Sequence, residues 1–346
     1  MQITIRPLDA SSDVEIDQLQ ALEEALDAHA YGGIEAYTRE QVRTRLAGTR
    51  YWSVEHWVAV AESLEGGESV VGRASAMMPL EENLETIAVH AAVHPALRHQ
   101  GIGTALVEEA LRPAVRASGR TLVEAYGEIP ADGDPDSADL PVNRLATRMG
   151  ISRKNLAVCR AAPLPVAEDL LDALQSEAEE RIGTYRIELW ADEVPDEHLA
   201  AYGLLMRQLE LDEPDEDVEH EAPEYTPERL RLRERRRRDA GTRAIIAVAI
   251  APDGSIAGNS EVEFHEAERS TLAMQENTLV MPGHRGHRLG LALKVATHRE
   301  LARRAPRMRS VLTWNSHVNP WMIAINEKLG YRIVQRELVL QGRPDL

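Results

Sequence analysis

The sequence predicts an α+β (α/β) fold of two tandem domains, each a mixed, mostly antiparallel sheet flanked by helices. Three observations carry that prediction. The chain has 346 residues, 43% of them hydrophobic, which is too long for one typical core and suits two domains of roughly 150 to 190 residues. Its apolar pattern runs through several period-two segments, a glycine-rich loop, a period-3.6 helix and then a strand, and past residue 163 the same order begins again. The loops ending at Gly103 and Gly290 stand at the same point of the two series, as an internal duplication of a whole domain requires. The expected boundaries are 1–162 for the first domain, 163–184 for a connecting helix and 185–346 for the second domain.

Residues 3–8 alternate as a short strand, and Val14, Leu19, Leu22 and Leu26 recur at helical spacing. Thr38, with Gln41 three residues on, has the capping-box pattern that opens a second helix. Strand-like runs follow at Tyr51–Ala61, at Val70–Met78 after a turn at Glu65-Gly66-Gly67-Glu68, and at Thr86–Val93, which Pro95 stops. Thr104–Ala117 reads as a helix, Thr121–Tyr126 as a buried strand and Ala131–Pro141 as a loop, and a short helix and the strand Asn155–Ala161 close the series. Residues 163–183 hold a capless amphipathic helix (Val166, Leu170, Leu174, Ala178), expected to join the domains. The second series has a strand at Tyr185–Trp190, helices at Glu197–Leu209 and after Thr226, and strands Arg243–Ala251 and Ser255–Phe264 around Pro252-Asp253-Gly254. It ends with a strand up to Pro282, a helix at Leu291–Ala302, a strand at Ser310–Trp314, a helix at Pro320–Leu329 and a strand at Tyr331–Leu340.

Composition narrows the function. A net charge of -18 argues against a general nucleic-acid binder, whose affinity for phosphates rests on clustered cations. With only three lysines (Lys154, Lys294, Lys328), arginine supplies the rest of the basic residues, a bias expected of a GC-rich, bacterial genome. No run approaches the roughly 18 apolar residues of a membrane span, and the start Met-Gln-Ile-Thr-Ile-Arg has no apolar targeting segment, so a soluble, cytoplasmic protein is expected. Cys159 stands alone in a strand-like run and is expected to be a buried structural thiol. His284 and His287 lack carboxylate or cysteine companions, so no metal site is expected.

The stretch from Ala92, Val93 and His94 through Arg98, His99, Gln100, Gly101, Ile102 and Gly103 to Thr104 leads from a strand into a helix. Such a loop exposes unpaired amides at a helix N-terminus, where the macrodipole also favours an anion such as a pyrophosphate. Gly101 and Gly103 allow positive φ and close approach, and Arg98 adds a cation. A tight strand-to-helix turn would explain the glycines equally well. A dinucleotide-binding loop would not: the third glycine is missing, Pro95 precedes the loop, and no strand–helix–strand repeat surrounds it.

Val93-x-Pro95-x-x-Arg98-x-x-Gly101-x-Gly103 resembles motif A of the GNAT family of acyl-CoA-dependent N-acyltransferases. The resemblance implies that the loop amides bind the pyrophosphate of acyl-CoA, that the preceding strand splays from its neighbour, and that backbone near Val93 polarises the thioester carbonyl. Val280, Arg285, Gly286, His287, Arg288, Leu289 and Gly290 align with this loop in the second half, Arg285 under Arg98 and Arg288 in the place of Gly101. A positive φ at that place would disfavour arginine, although its guanidinium could meet a phosphate. Thr313-x-Asn315-x-x-x-Asn319-x-x-Met322-x-x-x-Asn326-x-x-Leu329-Gly330-Tyr331 is similar to motif B, which receives the pantetheine arm, so Asn319 and Asn326 join the expected cofactor-binding residues; Met322, Ile325 and Leu329 read as a packing stripe.

The resemblance is to tandem members of the family, with a layout similar to that of mycothiol synthase. It implies acetyl-CoA or another acyl-CoA as co-substrate, a small-molecule amine as acceptor, a monomer or homodimer, and no nucleic-acid or membrane partner. It also implies acyl transfer in the C-terminal half, with the N-terminal copy binding cofactor or serving as scaffold. The family's general-acid tyrosine is replaced by Asn326 in the second half and, aligning Gly150 with Gly330, by Ala146 in the first, where Asp139 also stands for Asn319. Glu276 and Tyr331 remain as catalytic candidates, against the blander readings of a solvated strand residue and a core aromatic. An amine can attack a thioester without a strong acid once a base or water chain takes its proton. The acidic run Glu210–Glu224 is either a solvated loop or an electrostatic funnel for an amine cation beside the second cleft, and Arg235–Arg238 a solvated face or that loop's partner. A catalytically silent acyl-CoA-binding or regulatory module and a protein-lysine acetyltransferase are the competing classes.

Overall fold

The period-two runs become strands and the period-3.6 runs helices, in the expected order, over the residues that the computed structural model describes: 2–62, 67–214 and 216–345. Of the expected turn at Glu65-Gly66-Gly67-Glu68, Glu65 and Gly66 lie outside the described residues. The chain divides into two compact units, one of Met1–Ala157, Asp215–Glu221 and Gln335–Leu346, the other of Val158–Pro214 and Ala222–Val334. These are not the contiguous segments 1–162 and 185–346. The last strand of each repeat is divided between the units, because strand pairing is set by partners and not by chain order.

The first unit begins with β1 (Ile3–Pro7) and α1 (Asp13–Tyr31). Ser12 caps α1 by accepting from the Glu15 amide, Gly32 ends it at φ 68°, and Ile16, Leu19 and Leu22 form its buried face. Val14, expected in that stripe, points outward and is 66% exposed. The capping box of Thr38 and Gln41 forms both of its bonds and opens α2 (Arg39–Leu46). Next come β2 (Trp52–Glu62), β3 (Glu68–Pro79), β4 (Thr86–Val93) and a continuous helical run made of α3 (Ile102–Ala105), a π-helical turn (Leu106–Leu111) and α4 (Arg112–Ser118). β5 (Leu122–Pro130), α5 (Pro141–Met149) and β6 (Ser152–Pro163) complete the repeat. The sheet order is β1-β2-β3-β4-β5, antiparallel except for β4 and β5, and the outer edge of β5 pairs with Gln335–Gly342 from the end of the chain. The helical run packs on the sheet through Ile102, Leu106 and Leu111; α1 packs against Val58 and Val60 through Leu22, and Val42 of α2 packs on Ile16 and Leu19 of α1.

The second unit repeats this plan with one addition, α6 (Glu168–Ile182). It continues with β7 (Arg186–Ala191), α7 (Leu199–Asp212), α8 (Pro227–Asp239), β8 (Thr242–Ile250), β9 (Ile256–His265), β10 (Leu272–Val280), α9 (Leu289–Arg304), β11 (Ser310–Ser316), α10 (Pro320–Lys328) and β12 (Arg332–Gly342). The order β7-β8-β9-β10-β11 matches that of the first unit, again with one parallel pair, β10 with β11. Expected as a connector, α6 is part of this unit's core: Leu171, Leu174 and Ala178 pack with Leu291, Ala292 and Val295 of α9. Cys159 is a buried thiol on β6, as its apolar strand suggests.

Candidate functional site

In both units the strand before the glycine loop parts from its parallel neighbour. β4 pairs with β5 only from Thr86 to Val89, leaving His90–Val93 and Tyr126–Pro130 apart, and β10 pairs with β11 only from Leu272 to Met274. Each unit therefore holds a V-shaped opening with the loop at its head. β10 also carries a bulge between Gln275 and Asn277, which β4 lacks.

The two loops share one backbone and exchange their glycines. Positive φ falls at His99 (63°) and Gly101 (86°) in the first loop and at Gly286 (88°) and Arg288 (53°) in the second. Gly101 and Arg288 are the N-caps of their helices, so arginine does occupy a left-handed position in the second loop. Ile102 and Leu289, the first helical residues, are buried beneath the loops. A Cβ on Gly103 would stand 3.7 Å from Val93 and 3.8 Å from Leu145, an ordinary contact, whereas one on Gly290 would meet Ile325 at 3.2 Å. Among the described residues the amides of His99–Thr104 donate to no protein acceptor, as a cradle for an anion requires.

The cations of the two loops differ. Arg98 is exposed, its Nε donates to the Val93 carbonyl at 3.4 Å, and no carboxylate among the described residues pairs with it. Arg285 makes the equivalent bond to the Val280 carbonyl at 3.2 Å, yet it is also ion-paired with Asp212. Arg288 donates to the Glu177 carbonyl at 2.5 Å and pairs with Glu180 at 2.6 Å, both on α6. His287 Nδ1 lies 3.2 Å from the Arg181 carbonyl, and His284 Nδ1 lies 2.9 Å from the Tyr185 hydroxyl. Arg285, Gly286 and His287 are exposed like their counterparts in the first loop, so what sets the second loop apart is that its cations are answered internally. The first loop, with Ala92, Val93, His94, Gln100 and Thr104 around it, stays at least partly accessible.

Motif B of the second unit is turned into the core. Asn319 caps α10 by accepting from the Met322 amide at 3.1 Å. Asn326, expected toward the cofactor, is fully buried: its Oδ1 accepts from Lys294 Nζ at 2.6 Å and its Nδ2 donates to Asn315 at 3.4 Å. Arg160 also donates to Asn315 at 3.0 Å, and burial pushes Lys294 down to about 7. The two catalytic candidates lie in opposite surroundings. Tyr331 is 1% exposed, its hydroxyl lies 3.1 Å from His298 Nε2, and burial raises its pKa far above the ordinary phenol value. Glu276 is exposed at the β10 bulge, where its charge acts on Arg233 and Glu263.

The helix-pair face differs as well. In the second unit it is filled: Arg237 is buried against Glu261 and Glu263, Tyr202 donates to Glu261 at 3.1 Å, and Asn259 donates to Tyr202 at 2.9 Å and to Asn277 at 2.7 Å. Arg237 is therefore neither solvated nor a partner of the acidic run. That run is itself divided: Asp212 holds Arg285, Glu210 accepts from Tyr225 at 2.6 Å, and Glu219 and Glu221 bond to Gln341 and Asn83 within the first unit. In the first unit a cavity of about 350 Å³ opens on the corresponding face, with Glu23, Arg45, His56, Arg73, His90 and Tyr126 among its lining residues. None of these was singled out in the sequence. Arg73 inside the apolar run Val70–Ala76 was the available signal, because a charge on a strand's inner face needs a purpose.

On the same face as Tyr126, two residues along β5, Glu128 stands opposite Glu337 of β12 and accepts from Tyr31 at 3.0 Å. Burial and the charge of Glu128 push Glu337 up to about 7. No group of acidic, histidine or cysteine residues suited to a metal ion occurs among the described residues, and no described helix is long and apolar enough to cross a membrane.

Residues 19–131 match the model of the acetyltransferase (GNAT) family. The whole chain is similar to a tandem GNAT protein from the clavulanic acid biosynthesis pathway, at 26% identity and a TM-score of 0.74, covering 99% of this chain and 98% of that one. It shares its fold with a GCN5-related N-acetyltransferase from Sphaerobacter thermophilus (19% identity, TM-score 0.62, 99% and 97% covered). The fold also extends to Saccharomyces cerevisiae N-myristoyltransferase, solved with bound myristoyl-CoA (12% identity, TM-score 0.58, 99% and 80% covered). No curated protein matches the sequence.

Proposed function

We propose that the chain, similar over its whole length to a tandem GNAT protein, is an acyl-CoA-dependent N-acyltransferase that acts on a small-molecule amine and binds its acyl-CoA in the first unit. The observation that carries this reading is the contrast between the loop cations: exposed Arg98 pairs with no carboxylate among the described residues, while Arg285 and Arg288 are engaged by Asp212, Glu177 and Glu180. The placement departs from the expectation drawn from tandem relatives, acyl transfer in the C-terminal half; the paired cations of the second loop and the buried ion pairs of Arg237 with Glu261 and Glu263 favour the first unit.

In this reading the amides of His99–Thr104 and the Arg98 guanidinium hold the pyrophosphate of acetyl-CoA or another acyl-CoA, and the opening between β4 and β5 admits the pantetheine arm. Acceptor nitrogen attacks the thioester carbon, so that an amide bond forms and the carbon–sulfur bond breaks. The amine's proton passes to the Glu128–Glu337 carboxylate pair, and the departing thiolate is protonated from solvent. Glu337 suits this task because a base poised near neutrality both accepts and returns a proton readily.

Thiol release from acetyl-CoA in Gly103→Glu and Gly290→Glu, measured separately with a panel of amines, tests the assignment. Gly103→Glu should abolish release and acetyl-CoA binding by blocking the cradle, and Gly290→Glu should leave binding intact. Full activity in Gly103→Glu would overturn the placement in the first unit.

A further inference from the structure

The acceptor side of the first unit carries an unspent cation. Arg73 lies on β3, one residue beyond Gly72, which pairs with Val93 at the end of β4. Strand alternation turns Arg73, Ser75 and Met77 to the same face, and all three line the cavity. The Arg73 Nη1 approaches His90 Nδ1 at 3.3 Å, whereas its Nε is buried without a hydrogen bond, 3.6 Å from Glu23, and its Nη2 has no partner among the described residues.

The other charges of the cavity are accounted for. Arg45 pairs with Glu23 at 3.3 Å and stacks over Tyr37 at 3.9 Å. His90 is held neutral by burial and by Arg73, its pKa pushed down to about 3, and burial likewise lowers His56, whose Nε2 lies 2.9 Å from the Leu46 carbonyl. Asp27 and Glu35, behind the lining, also act on Arg45, so Glu23 is the one lining carboxylate near Arg73, and the open donor of the cavity is the Arg73 Nη2. The fold does not require an arginine there. In the second unit Gly258 pairs with Val280 as Gly72 pairs with Val93, and the next residue is Asn259, satisfied by Tyr202 and Asn277.

We propose that this cavity takes an acceptor bearing a carboxylate as well as its amine, an amino-acid-like molecule whose carboxylate is held by the Arg73 fork. The Arg73 Nη2 offers a carboxylate its donor, and a shift of Nε away from Glu23 would complete a bidentate pair. The volume of about 350 Å³ is at the small end of ligand pockets, which suits a single amino acid or a compact derivative. The inference rests on the acyltransferase reading for turnover but not for binding.

Calorimetric titration of the CoA-saturated protein with L-serine, L-glutamate and L-lysine, their carboxamides, the decarboxylated amines and aminomethylphosphonate tests it, with thiol release from acetyl-CoA followed in parallel. The free acids should bind, and the carboxamides and decarboxylated amines should bind roughly tenfold or more weakly. Arg73→Gln, checked for folding by its melting curve, should raise KM for the acid by a similar factor, change kcat less and leave the carboxamide unaffected, with Arg73→Lys recovering part of the loss. Binding of the acids without thiol release would support the acceptor site and overturn the acyltransferase reading. Equal binding of acids and carboxamides by the wild type, tighter binding of the phosphonate than of any acid, or no binding of any acid would overturn the carboxylate proposal.

Discussion

Single residues set the difference between the two loops. His99 and Gly101 in one loop and Gly286 and Arg288 in the other take the same left-handed conformations, so the second loop keeps its shape although an arginine stands where the first has glycine. A non-glycine residue there costs about 1–2 kcal/mol, which the bonds of Arg288 to Glu180 and to the Glu177 carbonyl help to offset. Glu337 is the other decisive residue. Its carboxyl is raised to about 7 from an ordinary 4.5, so the folded state binds its proton more tightly than the unfolded state, and stability falls as pH climbs through that window. Glu337→Gln should therefore melt at a higher temperature than the wild type at pH 8, with the gap closing below pH 4.5. The same variant should lose the rise of kcat/KM near pH 7 that a carboxylate base imposes. An unchanged pH–rate profile would remove Glu337 from the proton path.

At the level of elements, α6 distinguishes the second repeat from the first. In the second unit it lies on α9, and its C-terminal half reaches the loop through Glu177, Glu180 and the Arg181 carbonyl. Leu171 and Leu174 anchor it at 1% and 5% exposure. Leu171→Ala should cost about 2–5 kcal/mol, the transfer and cavity terms of a buried leucine, measured by urea denaturation of the second unit's transition. Acetyl-CoA binding by the folded protein should persist, since the proposed cradle and this helix belong to different units. The amphipathic pattern of α6 was legible in the sequence, but its partner was not: an apolar stripe says that a helix packs, not upon what.

For the whole molecule the dominant electrostatic fact is the net charge of -18. Self-repulsion opposes compaction, and salt screens it. Raising ionic strength from about 0.01 to about 0.15 M shortens the screening length from roughly 30 to 8 Å and should raise the urea midpoint. A falling midpoint would mean that attractive pairs, such as Arg39 with Asp17, outweigh the repulsion. The sequence by itself determined the element order, the duplication and the two loops, because hydrophobic period, capping residues and glycine placement are local properties that survive in one dimension. It also carried the family resemblance through Arg98, Gly101 and Gly103. Tertiary structure alone decided that Asn326 and Tyr331 turn inward, that Arg285 and Arg288 meet carboxylates on α6 and α7, and that Gln335–Gly342 completes the first sheet. It also brought Glu23, Arg45, Arg73 and His90 from two helices and two strands to one cavity. These outcomes depend on which distant groups become neighbours, and the free energy of a buried charge or an anion cradle is set by those neighbours and not by chain spacing.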